Sequence, residues 1–489
     1  MHKNIRTALA TAATVALTGG LLSLSAGPAP AADSVHHHQA DFNGDHIGDV
    51  AFSAGWSTVG GKRGAGQIVA LYGSANGLNS AARKTISQNT TGVPGSAETN
   101  DAFGWVSAYG DFNHDGFDDL AVSAELEDVA GDTDGGTVLV LWGSPSGLTG
   151  GTTIKDPAVS SHDRWGTALA AGDFDGDGTD DLAIGSSAST IYVYKGGITK
   201  SGTSGGRYTI KPPIMSGGGT GPRMMTAGDV NGDGATDLVV DGYETGTQYG
   251  WNANYYVPGG ASGLDASSAV KLRPGTITDI GDVNGDGFGD IVTGEEWDTN
   301  KDGPSAPGSV DGGKVNITYG SASGPAGGTD ITQDTGNVPG ASERGDGFGG
   351  ELSLGDINGD GYQDLAVGVS GENLGGVTDT GSVTVLYGSP NGINTQSGSQ
   401  FFAQSTAGVP GSDETNDNFG NEVKLTDVTG DGKADLTVGV FGENNYNGAL
   451  TYLPSDGTHI TTTGARSLAA SSVGVSTAAY PELGGNAAN

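Results

Sequence analysis

The sequence predicts an all-β fold: a seven-bladed β-propeller of four-stranded antiparallel blades, with an acidic loop between the first two strands of each blade. Three observations predict it. A nine-residue acidic segment occurs seven times along the 489-residue chain. Each copy runs at once into a short alternating apolar stretch. Glycine accounts for 91 residues without any Gly-X-Y period, so the glycines mark turns between short strands rather than a collagen helix.

The clearest copy is Asp173-Phe174-Asp175-Gly176-Asp177-Gly178-Thr179-Asp180-Asp181. Acids stand at positions 1, 3, 5 and 9, with glycine at position 6. Alternating oxygen donors around a sharp glycine turn suit Ca²⁺, which takes six to eight oxygen ligands. An EF-hand loop begins alike but ends on a Glu at position 12 between helices. Here β-type residues follow position 9, so the loop joins strands. The seven candidate ligand sets are Asp41, Asn43, Asp45 and Asp49; Asp111, Asn113, Asp115 and Asp119; Asp173, Asp175, Asp177 and Asp181; Asp229, Asn231, Asp233 and Asp237; Asp282, Asn284, Asp286 and Asp290; Asp356, Asn358, Asp360 and Asp364; and Asp427, Thr429, Asp431 and Asp435. Up to seven Ca²⁺ are expected. The seventh loop departs at Thr429, a poorer ligand. The first has His46 where the others have glycine, which implies a strained turn.

The strands follow in order. After each loop, apolar residues at every second position (Val50/Phe52, Leu120/Val122, Leu182/Ile184, Leu238/Val240, Leu365/Val367, Leu436/Val438) predict half-buried strands. A third strand follows, as in Ile68 to Tyr72, Val138 to Trp142 and Val383 to Tyr387. Turns such as Gly73 to Leu78, Gly143 to Leu148 and Gly388 to Ile393 then lead into a fourth. Before the loop, Phe103-Gly104, Trp165-Gly166, Phe348-Gly349 and Phe419-Gly420 open the first strand. Units four and five lack this pair. A closed ring leaves fewer free strand edges than a linear solenoid. The chain is expected to enter on the inner strand of blade one, and the tail beyond Ser467 to complete the last blade and reach toward the first.

Lys3 and Arg6, the apolar stretch Ala8 to Leu24 and the small-residue site Ala29-Pro30-Ala31 predict a secretory signal peptide over residues 1–31, with the propeller over 36–489. No later stretch is long and apolar enough to span a membrane. The absence of cysteine excludes disulfides and thiol catalysis, leaving bound metal as the staple of an exported protein. A formal charge of −36 argues against nucleic acid as a partner.

These residues resemble the FG-GAP repeat, the blade unit of the integrin α-subunit propeller, and the whole set looks like secreted bacterial FG-GAP proteins. The resemblance rests on the Phe-Gly pairs, the acidic loops and strand ends such as Ala366-Val367-Gly368-Val369. The Gly-Ala-Pro motif is absent; Gly368-Val369-Ser370-Gly371 stands in its place. The resemblance implies Ca²⁺ coordination by positions 1, 3, 5 and 9 and by the backbone carbonyl at position 7. It also implies cell-adhesion functions.

Outside the loops, Arg344-Gly345-Asp346 matches the tripeptide integrins bind, but it falls in the same segment as Glu98 to Asp101 and Glu414 to Asp417 and reads as repeat framework. Asp298 to Gly303 looks like an eighth loop but lacks the last acid. His36-His37-His38 reads as strand. Glu295, Glu372 and Glu443 read as recurrent structural residues. No nucleophile, base and orienter can be assembled. The expected function is therefore a secreted, monomeric, non-catalytic binding or adhesion scaffold for an extracellular protein or glycan. Contact is expected through the variable segments Glu125 to Gly136, Tyr243 to Asn254 and Glu295 to Gly313, the second being rich in aromatics (Tyr243, Tyr249, Trp251, Tyr255). The alternative is a secreted propeller enzyme, such as a calcium-dependent polysaccharide lyase or a phospholipase-like hydrolase.

Overall fold

A computed structural model describes residues 39–129, 131–217, 220–246, 251–299 and 306–488. The signal-peptide segment, the His36 to His38 run, Tyr249 and most of the Asp298 to Gly303 stretch lie outside the described residues. Those described form a seven-bladed propeller of antiparallel sheets.

Blade six shows the plan. Its inner strand is Phe348–Gly355, its second Asp364–Val369, its third Ser382–Leu386 and its outer Gln400–Phe402, hydrogen-bonded in that order. Blades two to five and seven repeat it over residues 107–154, 169–210, 224–271, 277–331 and 422–469. The acidic loop connects inner and second strands at one end of every blade. The second-to-third connections and the blade-to-blade segments lie at the other end.

The second strands are buried on both faces, not half-buried as their alternation suggested: Asp364–Val369 and Asp435–Val440 have no exposed residue. Each sheet is covered on both sides by a neighbouring blade, so alternate side chains enter two different interblade cores rather than core and solvent.

The Phe-Gly pairs make the blade-to-blade contact. Phe103, Trp165, Phe348 and Phe419 are fully buried. The glycine that precedes the third strand of the previous blade packs on their backbone. A Cβ at Gly66, Gly136, Gly313 or Gly381 would fall 2.2–2.5 Å from a main-chain atom of the aromatic residue, and all four glycines have positive φ. Only glycine satisfies both conditions.

The ring closes on a fifth such contact that the sequence reading did not find. Leu483-Gly484 stands where the other blades have Phe-Gly. Leu483 is fully buried, a Cβ at Gly448 of blade seven would fall 2.3 Å from its carbonyl oxygen, and Glu482 and Gly484 have φ of 53° and 86°, matching Asn418 and Gly420 at 54° and 89°. Beyond it the tail runs along the second strand of blade one, Val50–Ala54: Ser53 N–H donates to Asn486 O at 2.8 Å and Ala488 N–H to Ala51 O at 2.9 Å. Ala40 adds one more bond, accepting from Asp49 N–H at 2.6 Å. The expectation that the chain enters on the inner strand of blade one is thus corrected. Residues 486–488 hold most of that position, and only residues next to the first loop come from the other side. The outer strand of blade seven, Arg466–Ala469, completes that blade before the tail crosses over.

Candidate metal centres

Each acidic loop is built by its own aspartates. The position-1 carboxylate accepts the N–H of position 6 in all seven loops, at 2.7–3.0 Å. The position-5 carboxylate accepts the N–H of position 7 in all seven, at 3.0–3.3 Å. These bonds curl the backbone round the acids and draw positions 1 and 5 toward a common centre. The curl needs left-handed backbone at positions 4 and 6. His46 adopts it at position 6 (φ 64°) and His114 at position 4 (φ 57°), where the other loops have glycine. The requirement at position 4 was not read from the sequence, although glycine stands there in six of seven copies.

Position 9 acts differently. It is the first residue of the second strand in six blades and immediately precedes it in blade one, and it is buried in every loop. One of its oxygens accepts the N–H just past the third strand: Gly73, Gly143, Gly196, Gly259, Gly320, Gly388 or Ser455, at 2.7–2.9 Å. It therefore ties loop to sheet. Burial, reinforced by the loop's other acids, pushes Asp49, Asp119 and Asp364 up to about 8, Asp181, Asp290 and Asp435 to about 7 and Asp237 to about 6. A cation beside them would offset the charge that burial penalises. In the third loop the fit to a cation is explicit. Oxygens of Asp173, Asp175 and Asp177 lie within 4.8 Å of one another, and Asp181 Oδ2 is buried with no hydrogen-bond partner. Lys195 Nζ is paired with Asp175 from outside this group. In the second loop Asn113 turns its amide nitrogen to Asp119 Oδ2 at 3.1 Å, and in the seventh Thr429 Oγ1 donates to Asp427 Oδ1 at 3.2 Å.

The loops are also joined to one another. Position 8 donates its N–H to the position-1 carbonyl of the preceding loop at six junctions, from Asp118 to Asp41 round to Gly48 to Asp427, at 2.7–3.0 Å. At the remaining junction Asp111 N–H donates to the Asp180 carboxylate at 2.9 Å. This belt closes the ring at one face, independently of the tail.

Known families fit this geometry. The FG-GAP repeat model matches residues 103–141 and 348–386, and the FG-GAP-like repeat model residues 173–240. This is an integrin-like FG-GAP propeller. Phosphatidylinositol-glycan-specific phospholipase D of Mus musculus is 35% identical over 172 residues, covering 35% of this chain and 19% of that protein. Integrin alpha-PS2 of Drosophila melanogaster is 29% identical over 249 residues, 44% of this chain and 16% of that protein. The chain thus matches less than a fifth of the length of either relative. Among solved structures, a mutant of AofleA from Arthrobotrys oligospora overlays with a TM-score of 0.38 and 13% identity, over 74% of this chain and 86% of that one.

The opposite face of the FG-GAP propeller carries the variable segments. Of the aromatic group expected there, Tyr255 is in the core. Tyr243 lies under the Arg223 guanidinium at 5.1 Å and accepts a 2.7 Å bond from it. A second aromatic pair was missed: Trp56 and Trp105, both half-buried, pack with ring centroids 5.9 Å apart where blade one meets blade two. Asp346 of the Arg-Gly-Asp tripeptide is 0% exposed, and Arg344 is held by Asp311 and Thr299, so the tripeptide is framework. Glu295 is not equivalent to Glu372 and Glu443. It ends a second strand and forms a buried ion pair with Lys314 at 3.3 Å, whereas Asp298 occupies the matching turn and accepts the Gly312 N–H at 2.8 Å. Among the described residues, no helix is long and apolar enough to cross a membrane.

Proposed function

We propose that the chain is a secreted, calcium-binding scaffold that recognises an extracellular protein or glycan without catalysing a reaction. The observation that carries this reading is the division of labour between the two faces. One face is committed to seven near-identical acidic loops hydrogen-bonded into a belt. The other presents the segments that differ from blade to blade, with Trp56, Trp105 and Tyr243 partly exposed.

In each loop, positions 1, 3, 5 and 9 would hold Ca²⁺: Asp173, Asp175, Asp177 and Asp181 in the third, and their counterparts in the other six. The ion would supply the positive charge that lets buried position-9 carboxylates ionise, and so fix inner strand to second strand. Loops one to six have amide or carboxylate oxygen at position 3. The seventh has only the Thr429 hydroxyl and is the weakest candidate. Half-exposed indole and phenol rings on a rigid frame suit stacking against sugar or anchoring a protein loop.

The phospholipase relative supports a second reading, a hydrolase of glycosylated lipid. The two separate in one experiment. The full chain is presented to glycan and protein arrays, with and without EDTA, and to glycosyl-phosphatidylinositol and polysaccharide substrates. Retained ligand without product supports the scaffold. Calcium-dependent release of a lipid head group or unsaturated sugar replaces it with the enzyme.

A further inference from the structure

The segments entering blades two, six and seven carry a second set of oxygen clusters, on the face away from the acidic loops. The sets are Gln88, Asp101 and Glu127; Gln333, Asp346 and Glu372; and Gln404, Asp417 and Glu443. In each, the Asp follows the Gln by 13 residues and the Glu by 39. The Gln leaves the outer strand of one blade, the Asp precedes the inner strand of the next, and the Glu follows that blade's second strand. The fold brings all three to the blade junction.

The contacts repeat. Gln Nε2 donates to Glu Oε2 at 2.7, 2.9 and 2.5 Å. One Asp oxygen accepts the N–H three residues earlier, from Glu98, Glu343 or Glu414, at 2.5, 2.7 and 3.1 Å. In blades six and seven the Asp carbonyl accepts from Gly371 and Gly442, the residues just before the Glu, at 2.9 and 3.1 Å. What remains is acceptor with no donor. Oε1 of Gln88, Gln333 and Gln404 is buried and unpartnered in all three, as is Asp346 Oδ1. Gln333 is 3% exposed and Asp346 not at all. The amide oxygen must lie beside the same Glu its nitrogen reaches, since both belong to one planar group. Burial, with the neighbouring Glu, pushes Asp346 up to about 7 and Asp417 to about 6. Among the described residues, no lysine or arginine forms an ion pair with any of the six carboxylates.

Each junction thus gathers a buried aspartate, a half-buried glutamate and a buried amide oxygen that has no donor, an arrangement that positive charge between them would complete. A proton neutralises only one carboxylate and leaves as the pH rises. A divalent ion neutralises both and takes the glutamine oxygen as a further ligand, with water completing the shell. We propose that these three junctions are cation sites of the hard, oxygen-coordinated Ca²⁺ type, separate from the acidic loops, that pin the long entry segments of blades two, six and seven.

The test is a count of bound ions. The full chain, stripped of metal, is equilibrated with radioactive Ca²⁺ and dialysed. The triple variant Glu127→Gln, Glu372→Gln, Glu443→Gln keeps shape and hydrogen bonding but removes one charge per cluster. It is expected to bind three fewer ions than the parent, whereas Asp177→Ala in the third loop loses one and keeps the three. An unchanged count in the folded triple variant overturns the proposal. If the loops bind nothing, the parent's whole complement disappears in the triple variant, so the two readings fail separately. Should the triple variant not fold, parent crystals soaked in terbium decide. An anomalous peak about 2.3–2.6 Å from Asp346 Oδ1 and Gln333 Oε1 supports the site. A water at hydrogen-bonding distance, or no peak, removes it.

Discussion

If Leu483 serves as the first blade's missing aromatic anchor, truncating it should unfasten the ring. Its side chain is fully buried in the core shared by blades one and seven, with Phe52, Leu450 and Leu468. Replacing a fully buried leucine by alanine costs about 2–5 kcal/mol, more where the surroundings cannot collapse. Here they are held on both sides: Gly448 abuts the Leu483 backbone, and the Gly484 N–H bonds to Ser53 O at 3.1 Å. We therefore expect Leu483→Ala to cost ~3 kcal/mol, close to Phe419→Ala in the equivalent slot of blade seven. Gly448→Ala should cost at least as much, because its Cβ meets main chain at 2.3 Å and its φ is 77°. Val270→Ala on an outer strand, 45% exposed, is the control and should stay within about 0.5 kcal/mol. Urea unfolding in calcium, followed by tryptophan fluorescence, measures all four. A Leu483→Ala midpoint indistinguishable from that of Val270→Ala would refute closure through this residue.

Other outcomes follow from the same structure. Chelation of the purified chain should lower its melting temperature markedly, and an unchanged melt on verified metal-free protein would remove calcium from the account. Asp177→Ala should cost stability yet leave the affinity of an opposite-face ligand, measured on folded protein, nearly unchanged. Glu295→Ala should cost about 3 kcal/mol by stranding buried Lys314 with only Asp330 3.6 Å away, while Glu295→Met with Lys314→Met should recover most of it; a harmless single substitution would show the pair to be idle. On the inner strands of blades six and seven, burial raises Glu422, and burial with Glu422 as neighbour raises Glu351. A carboxyl raised in the folded state binds protons more tightly there than when unfolded, so its stabilisation is present at low pH and lost as pH rises through neutrality. Glu422→Gln should flatten that part of the pH–stability curve at constant calcium, and an unaltered slope would place the titration elsewhere.

How far the sequence could carry the fold depended on whether a feature is local. The acidic loops fold by bonds spanning two to five residues, such as Gly178 N–H to Asp173, so their spacing alone revealed them and the strands they join. Position 9 was legible as an acid of the loop. Its second task, bonding the far end of the third strand some two dozen residues away, leaves no trace in the motif itself. Closure was harder still. Leu483-Gly484 serves a blade whose other strands begin at Val50, and leucine for phenylalanine keeps the burial while dropping the signature. What betrays it is Gly484, whose left-handed φ of 86° and close packing on Gly439, where a Cβ would fall 3.0 Å from the Cα, suit glycine alone. The same logic explains why blades four and five looked eroded. Their junction gives up the aromatic anchor for Arg273, Asn316, Glu295 and Lys314, joined by a 3.0 Å Arg273–Asn316 bond and the 3.3 Å ion pair. Polar partners contributed by separate strands have no periodicity to read. Such a seam demands matched partners on both sides where an aromatic ring demands only volume, so a single change there strands its partner, whereas the slots of Phe103 and Phe348 should accept another apolar side chain of like volume.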